Sequence, residues 1–177
     1  MDNPVVRCRL VAQEFNDGTN KDELFVGTPL YIVRAILSIY ATGDGHEHNK
    51  IMVLDVKGAF LYGNARRDIY IELPREDNMA NSGTYVGKLN KAMYGTRDAP
   101  QIWQDEVEGK MRSIGFTVSG LHTSVYYNKE RQIIALAHVD DFLCIGRDKD
   151  LTWLHQELSK EYTLKKTMIG PGTEEDK

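Results

Sequence analysis

The sequence predicts an α+β fold in which helices pack on one face of a β-sheet. Apolar runs of strand length alternate with amphipathic runs of helix length, in the order strand, helix, strand hairpin, helix, strand. The helical runs carry start and stop residues at their ends. The 177 residues are 41% hydrophobic and 27% charged, which suffices for the core of one domain, or of a domain with a small lobe.

The first run, "VVRCRLVAQEF", alternates Arg7 and Arg9 with Val6, Cys8 and Leu10, so it reads as a strand with two cations on one face. In "GTPLYIVRAILSIYATG", Thr28 suits an N-cap, Pro29 the first helical position and Gly43 a stop. Ile32, Val33, Ile36, Leu37 and Tyr40 supply the apolar face of that helix. Residues 51–54, "IMVL", form a solid apolar strand that ends at Asp55. "RRDIYIELP" alternates like a further strand closed by Pro74, residues 75–84 read as a loop, and "TYVGKLNK" as a short strand. The next helix starts near Asp98, a cap with Gln101 in capping-box spacing. Its stripe is Ile102, Trp103, Val107, Met111 and Ile114, and Gly115 stops it. Short strands follow, with turns at "NKER" and at the aspartate pair Asp140 and Asp141. "DKDLTWLHQELSKEY" is a helix with Leu151, Leu154 and Leu158 inward, and "TLKKTMI" a final strand before a loose, charged tail over residues 171–177.

The net charge of −4 does not favour a nucleic-acid binder, although a basic surface can coexist with an acidic metal site. Cys8 and Cys144 stand in no CxxC pair, so they read as reduced thiols in an intracellular setting. No apolar run approaches the roughly 20 residues of a membrane span, and "MDNPVVRCRL" lacks the apolar segment of a signal peptide.

Three acids carry the chemistry. Asp55 follows "IMVL", and Asp140 and Asp141 follow "IIALAHV", so each closes an apolar strand. If the two strands are neighbours, the carboxylates converge on one edge of the sheet. Clustered acidic oxygens suit magnesium, a hard cation that keeps water and phosphate in its shell. A pair of such ions can activate a hydroxyl and stabilise a leaving pyrophosphate. The alternative is that "VDD" is only a hairpin tip and Asp55 only a turn cap.

These residues also resemble a known family. "HVDDFLCIG" is similar to the Tyr-x-Asp-Asp box of reverse transcriptases. "LDVKGAFLYGNARRDIYIELP" resembles the copia-type retrotransposon pattern Leu-Asp-Val-x-x-Ala-Phe-Leu-x-Gly, and "KLNKAMYGTRDAPQIW" and "RCRLVAQEF" resemble two further blocks of it. The four blocks run in order over roughly residues 7 to 170. The resemblance implies the fingers and palm of a right-hand polymerase, with a ferredoxin-like palm sheet and no thumb. Fingers would span roughly 1–50 and 66–92, and palm roughly 51–65 and 93–170. It implies DNA synthesis from dNTPs on an RNA or DNA primer–template. Asp55 and Asp140 would bridge two Mg2+ ions (or Mn2+), with Asp141 in support and the Val56 carbonyl as a further ligand. Phe60 falls at the sugar-selecting position, its alternative being core packing. Arg9, and less directly Arg7, fall where the triphosphate is held, Val139 and Asp98 fall near the substrate, and Lys165 or Lys166 lies near the pyrophosphate. A solvated strand face is the other reading of the arginines, and an exposed pair that of the lysines.

The sequence departs from the family at several of these places. His138 stands in place of Tyr and sets an imidazole, a competitor for a cation, beside the acids. Asp98 replaces a Gln, Gln101 an Arg, and Gln13-Glu14 a Gln-Gly or Arg-Gly pair. The chain is expected to be part of a polyprotein with thumb, RNase H and integrase, found in cytoplasmic particles and the nucleus as the family is. The alternatives are an inactive retroelement remnant with the palm fold, a phosphoacceptor receiver domain, whose acids come in the reverse order, and a nucleotide cyclase, whose glycine-rich signature is absent.

Overall fold

The apolar run that ends at Asp55 becomes β1 (Asn49–Val56), a strand buried from both sides. Met52, Leu54 and Val56 point to one side and are at most 1% exposed, while Ile51 and Val53 point to the other. The computed structural model describes residues 10–14, 28, 30–42, 49–79, 85–120 and 122–172.

Five more strands join β1 in one sheet. They are β4 (Thr117–Val118), β5 (Val125–Asn128), β6 (Ile133–His138), β7 (Asp141–Arg147) and β8 (Leu164–Ile169). Their order is β4-β5-β6-β7-β1-β8, with every neighbouring pair antiparallel. Two helices, α2 (Ala99–Ser113) and α3 (Asp148–Ser159), lie between β1 and β6 and between β7 and β8 in the chain. The spatial order β8-β1-β7-β6 with these two helices is the split βαββαβ arrangement. A separate two-stranded ribbon pairs β2 (Tyr70–Glu72) with β3 (Val86–Lys88).

The apolar stripes of α2 and α3 face the same side of the sheet. Ile102, Trp103, Val107 and Met111, with Leu151, Leu154 and Leu158, pack into one cluster with Met52, Leu54, Phe142 and Cys144. The expectation that helices cover one face holds for these two. The remaining helix among the described residues, α1 (Leu30–Thr42), packs on the opposite face, where Ile36 meets Ile51, Leu136 and Ile145. The reason lies in the strands themselves: β1, β6 and β7 are apolar on both faces along most of their length, so both faces need cover. Leu37, assigned to the buried stripe of α1, is instead exposed.

Several local expectations change. The strand expected over "RRDIYIELP" shrinks to β2, because Arg66 and Arg67 turn to acidic partners instead. Arg7 and Arg9 lie outside the described residues, and Leu10–Glu14 forms no strand. Asp98 occupies the N-cap position of α2 but makes no side-chain cap bond, and Gln101 bonds forward to Asp105 rather than back in a capping box. Thr28 reaches the sheet, its hydroxyl 3.0 Å from Ser124 Oγ and 3.1 Å from the Ala137 carbonyl. Pro29 and Gly43 lie outside the described residues. Gly115, at φ +86°, ends α2 as expected, in a conformation that glycine tolerates. Among the described residues no helix is long and apolar enough to cross a membrane.

Candidate active site

The strand register sets a polar row across the sheet. Asp55 on β1 stands opposite Asp141 on β7 and, on its other side, opposite Lys165 on β8. Asp141 in turn stands opposite His138 on β6. Directly opposed residues of antiparallel strands share a face, with Cβ atoms about 5 Å apart. His138, Asp141, Asp55 and Lys165 therefore line one face, all of them exposed. Lys166 stands opposite Leu54, so it points to the other face, towards α3. The sequence left Lys165 and Lys166 equivalent, and the register separates them.

Asp140 lies one residue before this row, on the two-residue turn Val139–Asp140 that joins β6 to β7. The turn predicted at the aspartate pair is thus shifted by one, since Asp141 already belongs to β7. Val56 donates its amide to the Asp140 carbonyl at 2.8 Å, which ties the turn to the end of β1. The Tyr94 hydroxyl lies 3.2 Å from Asp140 Oδ2. Trp103 donates its indole N–H to the Val139 carbonyl at 2.6 Å. Val139 has φ +53°, a left-handed value that a β-branched residue rarely adopts.

Phe60 sits in a short 3-10 turn (Ala59–Tyr62) just after β1, entered through Gly58 at φ +70°. The residue is 8% exposed, and its ring meets that of Tyr94 at 4.6 Å between centroids, tilted by 42°. The core-packing alternative describes its present surroundings, and Tyr94 links it to Asp140.

Asp98 is drawn into a different cluster. Arg67 binds it through Nε at 3.0 Å and a terminal nitrogen at 3.1 Å, and bonds Glu14 Oε2 at 2.6 Å. Glu14 also accepts the Arg97 amide at 2.8 Å. Arg67's hydrogen bond is the largest influence on Glu14 and lowers its pKa. Burial pushes the Asp98 carboxyl up, but Arg67 outweighs it and the net shift is downward. The two acids that replace family residues thus share one guanidinium, which leaves the trio with one net negative charge. Sequence reasoning passed over Arg67, whose acid partners lie 53 and 31 positions away.

The donors suit magnesium in kind, being carboxylate oxygens at a strand end. Among the described residues no three acidic, histidine or cysteine side chains converge into a cage of their own. Magnesium commonly uses only one or two carboxylates and completes its octahedron with water and substrate phosphates. The opposed Asp55 and Asp141, with Asp140 beside them, fit that mode of binding.

Comparison with known proteins bears on this geometry. A family model described as "Reverse transcriptase (RNA-dependent DNA polymerase)" matches residues 3–170. The retrovirus-related Pol polyprotein from transposon TNT 1-94 of Nicotiana tabacum is 34% identical over 172 residues, 93% of this chain and 12% of that protein. That from transposon RE1 of Arabidopsis thaliana is 31% identical over 164 residues, 90% of this chain and 11% of that protein. The chain thus spans about an eighth of the length of these two relatives. An apo telomerase from Candida tropicalis, truncated from its C-terminal domain, shares the fold with a TM-score of 0.50 at 11% identity, over 84% of this chain and 36% of that one. The match covers the strand-end acids, the Tyr94–Trp103 block and all eight strands of the described residues, and on that ground the chain belongs to the reverse transcriptase (RNA-dependent DNA polymerase) family, in its copia-type retrotransposon branch.

Proposed function

We propose that this chain holds the catalytic centre for DNA synthesis from dNTPs on an RNA or DNA primer–template, as one part of a retrotransposon Pol polyprotein. The observation that carries this reading is the in-register opposition of Asp55 and Asp141, with Asp140 on the adjoining turn, in a chain of this family. The palm would comprise roughly residues 51–65 and 93–170, and the fingers roughly 1–50 and 66–92.

Two bound Mg2+ ions would neutralise charge on the attacking 3′-hydroxyl and on the departing pyrophosphate. Asp55, Asp140 and Asp141, with the Val56 carbonyl, are the groups that would hold them. Lys165, opposite Asp55, sets a cation on the same face, where it can meet phosphate oxygens. Phe60, packed against Tyr94, is the candidate barrier to a ribose 2′-hydroxyl. Arg9 and Arg7 would hold the triphosphate by the bidentate chemistry of guanidinium.

The test is primer extension with dNTPs and Mg2+, comparing the wild-type chain with Asp55→Asn and Asp140→Asn. Metal-dependent incorporation by the wild type that falls to background in both variants is expected. Equal incorporation in all three overturns the reading. A second reading, an inactive remnant that keeps the fold, is favoured by the commitment of Asp98 to Arg67 where the family has a Gln. A folded wild-type chain that binds primer–template without extending it would establish that reading.

A further inference from the structure

We infer that Trp103 and Tyr94 are positioning residues, which hold the Val139–Asp140 turn in the backbone conformation the proposed reaction needs. The inference rests on the polymerase reading for its functional half only. A two-residue hairpin turn with positive φ at its first position normally takes glycine there. This turn has valine at φ +53°. Such a conformation is strained and persists only where the surroundings over-determine it.

Three separate elements do so here. The Trp103 indole, from α2, donates to the Val139 carbonyl at 2.6 Å. The Tyr94 hydroxyl, from the loop before α2, lies 3.2 Å from Asp140 Oδ2. The Val56 amide, from the end of β1, donates to the Asp140 carbonyl at 2.8 Å. The two aromatic anchors are themselves fixed. Trp103 is 2% exposed and meets Tyr162 edge-on at 5.3 Å, and Tyr94 packs against Phe60 at 4.6 Å in a tilted arrangement. Release of Val139 to a negative φ would swing its carbonyl off the indole, rotate the following peptide and re-aim the Asp140 carboxylate. Without the two aromatic anchors, only the Val56 amide and the β6–β7 ladder would oppose relaxation of the turn.

The experiment combines steady-state nucleotide incorporation with amide hydrogen exchange on Trp103→Phe, Tyr94→Phe, Val139→Gly and the double variant Trp103→Phe/Val139→Gly. Trp103→Phe is expected to lower kcat about tenfold or more, since small misplacements of catalytic groups are costly, with the KM for dNTP held. Glycine takes positive φ without strain, so the double variant should recover most of the lost kcat. The Val56 amide should exchange faster in Trp103→Phe while those of β5 do not. If Trp103→Phe does not fold, Tyr94→Phe removes a single oxygen and carries the same kcat and exchange test. Unchanged kcat with unchanged Val56 exchange, or a kcat loss that Val139→Gly leaves in place with exchange raised throughout the chain, overturns the inference. If the wild type makes no DNA, the polymerase reading fails on its own, and the exchange of the Val56 amide still decides whether the anchors hold the turn.

Discussion

Lys165 stands directly opposite Asp55 across the β1–β8 ladder, while the side chain of its neighbour, Lys166, emerges on the far face of the sheet. If Asp55 holds a divalent ion as proposed, an in-register cation beside it serves the proposed reaction by engaging the substrate's phosphates. Lys165→Ala should therefore lower incorporation on the order of a hundredfold, the usual worth of a group that stabilises developing charge. Lys166→Ala should leave incorporation near the wild-type rate. Rate measurements on both variants check this, and equal losses would contradict the division of roles.

Asp55 and Asp141 are like charges directly opposed, an arrangement that destabilises a sheet unless a cation intervenes. Without metal, Asp141→Asn should therefore raise thermal stability, by about 0.5 kcal/mol. Magnesium or manganese should raise the Tm of the wild type more than that of Asp141→Asn. Melting curves with and without each ion give the comparison.

The Arg67 cluster predicts a pH signature. The folded pKa values of Glu14 and Asp98 lie below their ordinary values of 4.5 and 3.8. Depressed carboxylates stabilise the fold fully above those ordinary values and lose that contribution as pH falls through the folded ones. Arg67→Ala should cost about 1 kcal/mol at neutral pH, a modest figure because Arg67 is substantially exposed. The gap between wild type and variant should close as pH drops below 4.5 and on through the lower folded values. Urea unfolding at a series of pH values measures it. A gap that is constant with pH would assign the cost to lost packing.

Burial pushes the Cys144 thiol up to about 12, and the residue is fully buried in the cluster under α2 and α3. Thiolate, not thiol, reacts with labelling reagents. Cys144 should therefore resist a maleimide in the native chain and react fully in denaturant, as peptide mass spectrometry would show.

Tyr126 is fully buried, and its hydroxyl has no hydrogen-bond partner among the described residues. Removing an unsatisfied buried polar group typically gains about 1 kcal/mol. Tyr126→Phe should thus match or exceed the wild-type Tm in a thermal melt, and a clear drop would reveal a partner such as a buried water.

Much of this architecture could be read from the chain before folding. The stripe from Ile102 to Met111 and the leucines of α3 have helical spacing, and the structure buries them where that spacing points. The apolar runs before Asp55 and before the aspartate pair suggested neighbouring strands. β1 and β7 are neighbours, although β7 is the strand that begins with Asp141 rather than the one that ends before the pair. Other features depended on long-range partners. Asp98 has the local signature of a cap, but a bidentate guanidinium won its carboxylate, and Arg67 sits in a segment whose alternation suggested only a strand. The left-handed valine was equally invisible, because turn chemistry calls for glycine, and the indole, phenol and Val56 amide that meet the Val139–Asp140 turn come from distant parts of the chain.

The position of β8 has a further result. It forms one margin of the sheet among the described residues, so its outer backbone groups offer a template on which another chain could grow a strand. Two consecutive lysines interrupt it near its start, and their side chains leave by opposite faces. An intruding strand would have to cover an ammonium group whichever way it lay. The same pair that sets one lysine beside Asp55 thereby discourages filament growth along the margin of the sheet.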